Sequence, residues 1–368
     1  MRSAVAAVSL LAIAACASPA ATPVPAAAPV PAPPPPPAAP ATSIDAALAQ
    51  RLDEYLRAQV ERGFSGVVLV ARDDGIVLHQ AYSTDPAITA GTAFWIGSLT
   101  KPFAAAAILQ LQEQGRLSVH DRLAEHLPDV PADKQGLTLH HLLTHTSGLG
   151  HRYASEGITD REDAIRTILA LPLERAPGEY GYSNDGYSLL AAIVSRVSGL
   201  GYEEYLRRHL LAPAGMTESG FWGVPVAEHE APVASVRQPP AARVADPNWG
   251  YRGASGLRST AEDLLRWHRA LLGGRILADS TKAAAFSTQV RRSEDAGYGY
   301  GWQVLRTGRG TTLIAHTGAE SGIDHYASLR RYTDEGIAFV LLSNAPEELT
   351  WDVHRGLLAT LFDPPASP

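Results

Sequence analysis

One cysteine, Cys16, occurs in 368 residues. A disulfide framework is therefore excluded, and no thiol nucleophile exists elsewhere in the chain. Lysine is nearly as scarce, with Lys101, Lys134 and Lys282 the only three. Acidic residues outnumber lysine and arginine by 38 to 31, a formal charge of −7 with no basic patch. That balance argues against a nucleic-acid partner. Beyond the N-terminus no apolar run reaches membrane-spanning length. Gly-x-Ser-x-Gly is absent, so a strand-turn-helix nucleophile elbow is not available, and no internal repeat is evident. The length suffices for a full core in one large or two interleaved domains.

The N-terminus has its own pattern. Met1-Arg2 is a short positive region, and Ala4 to Ala15 is an apolar segment too short to span a bilayer. Residues 1–15 thus read as a secretory signal peptide. The segment ends Ile13-Ala14-Ala15-Cys16, which resembles the lipobox of bacterial lipoproteins. The resemblance implies cleavage before Cys16 and acylation of its sulfur. Residues 16–42 are the lipidated cysteine and an almost pure Ala/Pro linker, with Pro33 to Pro37 in a row. Such a segment cannot bury a core; extended as polyproline II at ~3.1 Å per residue it reaches roughly 80 Å at most. The expectation is a soluble domain tethered to a bacterial membrane, extracytoplasmic and facing the periplasm.

The folded domain is expected over residues 43–365. Ile44 to Val60 has helical spacing. Gly66 to Arg72 and Ile76 to Tyr82 are β-branched runs separated by Asp73-Asp74-Gly75, a hairpin signal. A buried helix follows from Phe103, with Gly115 past its end. Residues of about 119–286 turn helical and loop-rich. Periodic stretches run over Glu162–Leu171, Tyr187–Val197, Tyr202–Leu211 and Ala261–Leu272, the last with a capping box Ser259-Thr260-Ala261-Glu262. Gly223 to Gly256 is a long Pro/Gly-rich connection. Strands are expected at Tyr298–Leu305, Thr311–His316, His325–Tyr332 and Ile337–Ser343, then a helix over Trp351–Phe362. The fold class is α+β. An antiparallel sheet flanked by helices forms from both chain ends (about 43–118 and 287–365), with the mostly helical part inserted.

Three short patterns carry chemistry. In Trp95-Ile96-Gly97-Ser98-Leu99-Thr100-Lys101-Pro102, serine and lysine stand three apart, and residues so spaced share a helix face. Proline is tolerated only in a first helical turn, so Pro102 places Ser98 at or just before a helix start. There a hydroxyl lies beside unpaired N–H groups and the positive end of the helix dipole. A serine hydroxyl needs a partner to take its proton, and a buried lysine can be that base. Tyr182-Ser183-Asn184 supplies a phenol to relay a proton and an amide to hold substrate. Asn184 could equally be a helix N-cap, and spacing alone does not exclude Tyr180 from the phenol's role. Ala315-His316-Thr317-Gly318-Ala319 is read as the end of an apolar strand whose N–H groups could donate to a substrate oxygen. His140, His141 and His145 have no adjacent zincin glutamate and no further ligand cluster. No metal or cofactor is implied.

The ordered trio Ser98-x-x-Lys101, Tyr182-x-Asn184, His316-Thr317-Gly318 resembles the serine β-lactamase and penicillin-binding-protein superfamily. It looks most like the branch of class C β-lactamases, DD-carboxypeptidases, D-aminopeptidases and related esterases. Supporting stretches are His141 to Leu149, Gly256 to Leu264 and Leu341-Leu342-Ser343-Asn344. The resemblance implies that Ser98 is acylated, that Lys101 and Tyr182 share acid–base work, and that Asn184 binds the acyl-side amide. It implies an oxyanion hole from the N–H groups of Ser98 and Ala319. His316, Thr317 and Gly318 would border the substrate, and His141 to Leu149 would be a structural helix-to-turn segment. Many members have lysine where this chain has His316, which ranks a broad β-lactamase low. The expected activity is that of a serine hydrolase acting through an acyl-enzyme on a D-amino-acid peptide, small ester or related acyl compound. The substrate could be small or cell-wall derived. A penicillin-binding sensor that acylates without turnover is the alternative. Oligomeric state is not legible in the sequence.

Overall fold

Val67, Val68, Leu69 and Val70 are all buried, and on a strand successive side chains face opposite ways. The strand that carries them must therefore be covered on both faces. A computed structural model, describing residues 43–221, 248–320 and 323–362, shows how. The signal peptide, the linker, most of the 223–256 connection and the last residues of the expected domain lie outside the described residues. By its contacts the chain divides into Met1–Pro35 and Pro36–Pro368, and only the second contains described residues.

The strands are β1 (Gly66–Arg72), β2 (Gly75–Tyr82), β3 (Phe94–Trp95), β4 (Gly220–Phe221), β5 (Leu257–Ser259), β6 (Val290–Arg291), β7 (Ala296–Tyr298), β8 (Gln303–Arg306), β9 (Thr312–Glu320), β10 (Ile323–Tyr332) and β11 (Ile337–Ser343). Eight form one antiparallel sheet in the order β2-β1-β11-β10-β9-β8-β7-β6. Both ends of the domain thus meet inside one sheet, where β1 pairs with β11 in register Val68↔Leu341. A small sheet, β3-β5-β4, stands apart and had no legible sequence signal.

Five helices pack around the sheet and position the candidate site: α1 (Ser43–Glu61), α2 (Lys101–Glu113), α3 (Asn184–Ser198), α4 (Ala261–Leu272) and α5 (Glu347–Phe362). Leu48, Leu52 and Leu56 of α1 and Val353 and Leu357 of α5 close over Val68, Val70, Phe339 and Leu341. On the other face Val67, Leu69, Val340 and Leu342 meet the core of α2, α3 and α4. Each such aliphatic side chain stabilises the fold by about 1.5–3 kcal/mol through burial. The architecture is α+β, an antiparallel sheet between helical layers with a mostly helical region inserted between its halves.

Several local expectations need correction. Tyr298 to Leu305 is two strands, β7 and β8. The chain reverses between them at Gly301 (φ +80°), where a Cβ would come 2.7 Å from Ala105 Cβ. The cap of α4 is Thr260, whose side chain accepts from Asp263 N. Ser259 belongs to β5, so the expected Ser259/Glu262 capping box does not form, and the Asp263 carboxylate instead accepts from Glu218 N, Ser219 Oγ and Arg266. The Tyr202–Leu211 helix is α-helical to Leu206 and then widens to a π turn over Arg207–Leu211. Finally, α5 starts one turn earlier than expected, at Glu347.

Candidate active site

Ser98 stands in a 3₁₀ turn, Gly97–Thr100, that runs directly into α2 with Pro102 in its first turn. In a 3₁₀ turn residues three apart eclipse one another. Ser98 and Lys101 are consequently brought side by side, with Nζ 3.0 Å from Oγ. The turn is held from outside as well. Ile96 N donates to Leu257 O at 3.0 Å, and Leu257 N donates to Thr100 Oγ1 at 3.1 Å. The Trp95 indole N–H donates to the Ser255 carbonyl.

Lys101 is wholly buried. Besides Ser98, its Nζ donates to Asn184 Oδ1 at 2.7 Å and to Ala254 O at 2.9 Å. The Tyr182 ring centroid is 4.7 Å from the same nitrogen. An ammonium has three protons to give, and these three oxygens stand on three different segments. When the amine is neutral, the two carbonyl oxygens keep two N–H bonds and the lone pair faces the serine hydroxyl. The geometry therefore accommodates both protonation states without moving a side chain.

Tyr182 and Asn184 arrive together because α3 begins there. Ser183 is the N-cap, its hydroxyl accepting from Gly186 N at 3.0 Å. That removes the capping role from Asn184 and leaves its amide oxygen to Lys101. Tyr180 borders the same site, its ring 6.1 Å from those of His145 and Tyr298 and under the Arg292 guanidinium.

The third motif is inside β9, which continues to Glu320 rather than ending at His316. Gly318 is where β9 crosses the Gly97–Thr100 turn. A Cβ there would fall 1.9 Å from Ile96 O and 2.9 Å from Ser98 N, so only glycine permits the approach. Gly97 answers it from the other side, with φ +50° and a Cβ position 3.4 Å from Gly318 Cα. Ser98, Tyr182, Thr317 and Ala319 keep some exposure, whereas Lys101, Asn184, His316 and Gly318 are buried. The Ser98 hydroxyl thus opens outward from a packed wall.

His316 has both ring nitrogens engaged, Nε2 3.1 Å from the Tyr298 hydroxyl and Nδ1 2.8 Å from Thr317 O. Burial pushes its pKa down to about 3, and the charge of Lys101 acts in the same direction. It is neutral at pH 7. The Tyr298 hydroxyl also lies 3.2 Å from His145 Nε2, and His145 stacks on Tyr182 with centroids 4.2 Å apart.

With this geometry in view, comparison with known proteins is decisive. The profile of the family described as Beta-lactamase matches residues 44–359. The chain belongs to the beta-lactamase family. It is 31% identical over 270 residues to a Bacillus subtilis (strain 168) protein bearing the penicillin-binding protein name PbpX, covering 69% of this chain and 65% of that one. This beta-lactamase-family chain therefore matches a little under two thirds of that relative's length. Among solved structures it is similar to a penicillin-binding protein from Bacillus halodurans, at 24% identity and TM-score 0.69, covering 85% and 98% of the two chains. It is also similar to the D-amino acid amidase from Ochrobactrum anthropi SV3, at 21% identity and TM-score 0.71, covering 86% and 98%. These likenesses establish the fold.

Three participants in this beta-lactamase-family site escaped sequence reasoning. Ala254 contributes only a carbonyl, which no side-chain pattern can signal. Tyr298 sits in a stretch read simply as strand. His145 lies in a segment read as a structural helix-to-turn element; it is fully buried, has φ +60° and touches the second motif. No group of three His, Cys, Asp or Glu that could hold a metal occurs among the described residues. His141 instead closes its own helix start, with Thr138 N donating to its Nδ1 at 3.0 Å.

Proposed function

We propose that the protein is a serine hydrolase working through an acyl-enzyme on a D-amino-acid peptide, a small ester or a related acyl compound. The observation that carries this reading is the 3.0 Å approach of a buried lysine nitrogen to a partly exposed serine hydroxyl. In this mechanism the Ser98 O–H proton passes to Lys101 Nζ as Oγ bonds to the acyl carbon. The resulting oxyanion is held by the backbone N–H groups of Ser98 and Ala319. The proton then goes to the leaving group, by way of Tyr182, as the old acyl bond breaks. Water repeats the sequence on the ester and releases the acid.

Family membership and the amidase and hydrolase names among similar folds support an acyl substrate, and the neutral His316 speaks against a permanent cation for a substrate carboxylate at that position. The proposal includes a membrane tether through lipidated Cys16, supported by the lipobox-like sequence. Intact-mass spectrometry with a D-Ala-D-Ala peptide, short p-nitrophenyl esters and a penicillin tests the chemistry on wild type and Ser98→Ala. A transient adduct that requires Ser98, with turnover, supports the hydrolase. An adduct persisting for hours on every substrate points to a sensor, and no adduct at all sinks both.

A further inference from the structure

Four hydrogen bonds run in series across the site: Ser183 N to His145 Nδ1 at 3.1 Å, His145 Nε2 to the Tyr298 hydroxyl at 3.2 Å, that hydroxyl to His316 Nε2 at 3.1 Å, and His316 Nδ1 to Thr317 O at 2.8 Å. Both ends are backbone groups with one possible role. An N–H can only donate and a carbonyl can only accept. Each end thereby fixes the tautomer of the neutral ring beside it. His145 Nδ1 accepts, so its proton is on Nε2 and goes to the Tyr298 oxygen. His316 Nε2, bare in the neutral ring, is placed to accept from the Tyr298 hydroxyl, which is also hydrogen-bonded to the Tyr187 side chain. His316 then carries its own proton on Nδ1 and gives it to Thr317 O. Each ring is neutral and each in a single tautomer. The two histidines hold opposite ones.

His145 holds its place in this series under strain. It adopts φ +60°, a left-handed conformation uncommon for a residue other than glycine. The charged or titratable groups facing it are Lys101, His316, His151 and Arg292, and the phenol rings around it belong to Tyr180, Tyr182, Tyr187 and Tyr298. No carboxylate is among these neighbours. Tyr187 spends its own hydroxyl on Leu143 O at 2.8 Å. A strained, fully buried imidazole joins the turn that carries Tyr182 to the strand that carries His316.

We propose that His145 is a positioning residue that gears the second and third motifs together. As the neutral Nε2–H tautomer it sets the Tyr182 ring by stacking, fixes the Ser183 turn through Nδ1, and through Tyr298 locks His316 as a neutral donor to Thr317 O. Lys101 then faces Ser98 with acceptors that suit both the ammonium and the neutral amine. This role rests on the reading of Ser98 as the nucleophile, but the tautomers do not.

Two measurements test it. Long-range proton–nitrogen NMR on the labelled full chain, with the rings assigned by His145→Gln and His316→Gln, should show His145 protonated at Nε2 and His316 at Nδ1. Both should stay neutral from pH 8 to pH 5. Opposite tautomers, or a cationic ring at pH 6, overturn the proposal whether or not any substrate is turned over. The second measurement is acylation by a fluorophosphonate probe and hydrolysis of p-nitrophenyl butyrate. Tyr298→Phe, which keeps the stacking, should lower kcat about tenfold or more with KM changed far less, since small misplacements cost up to about a hundredfold. His145→Asn keeps an acceptor for Ser183 N–H and suits a left-handed φ, so it should fall between wild type and His145→Ala. The His145→Asn/Tyr298→Phe double variant should lose less than the product of the two single effects. Folded single variants with wild-type kcat overturn the gearing. Labelling that is equal in wild type and Ser98→Ala overturns the nucleophile assignment instead and leaves the NMR result standing.

Discussion

Lys101 and His316 are both basic side chains buried in the wall behind Ser98, yet their surroundings differ in kind. Lys101 Nζ donates to oxygens on three different elements, the Gly97–Thr100 turn, α3 and the loop at Ala254. His316 sees one hydroxyl and one carbonyl, and the carbonyl fixes its tautomer. The first environment tolerates gain or loss of a proton. The second admits only the neutral ring. Burial alone therefore does not decide what a basic group does; the donors and acceptors placed around it do.

The comparison breaks most sharply at Ser98. Ser98→Ala should abolish adduct formation and reduce turnover by at least about a thousandfold, read by intact mass and steady-state rates. Lys101→Arg keeps a positive charge but cannot give up its proton at working pH. Acylation should fall by a similar factor, and recovery of activity with arginine would show that the lysine acts by charge alone. Asn184→Ala removes one of the lysine's acceptors. It should cost about 1–3 kcal/mol of stability through the lost buried hydrogen bond to Lys101, measured by denaturant unfolding, and slow acylation about tenfold to a hundredfold.

At the other end, His316 titrates near pH 3 in the folded protein against an ordinary value of 6.5. The unfolded chain therefore takes the proton first as pH falls below about 6.5. Stability is fully present above that pH and is lost progressively toward pH 3. The slope is at most about 1.4 kcal/mol per pH unit for one histidine. His325, pushed down to about 4 by burial, acts with the same sign. Thermal melts of wild type and His316→Gln between pH 7 and pH 4 should differ in slope, and parallel curves would place the proton elsewhere. The smallest effect on catalysis is expected at Cys16. Cys16→Ser should leave kcat unchanged while moving the protein from the membrane to the soluble fraction of its host.

The frame was legible in the sequence because its causes are local. The hairpin at Asp73-Asp74-Gly75, the β-branched run of β1 and the periodicity of α1 and α4 are written in residue order. The trio of motifs was equally visible, each with its own glycine, proline or asparagine signal. The start of α3 is an instructive error margin. Ser183 and Asn184 both favour helix caps, and only the hydrogen bond from Gly186 N to Ser183 Oγ decides between them. The two-strand turn at Gly301 was missed because its reason is a contact with Ala105, nearly two hundred residues away in the chain.

Residue identity by itself determined that Ser98 and Lys101 would share a turn, since Pro102 admits helix only from that point. It determined as well that Gly318 could cross another backbone closely. Tertiary structure alone decided the protonation pattern, because that depends on which donors meet which acceptors across distant segments. Ala254 O reaches the lysine from 153 positions away in the chain. Tyr298, from the β-meander, joins a histidine of the helical region to one of β9. No spacing rule records such meetings, for they are fixed by the packing of the whole sheet against its helices.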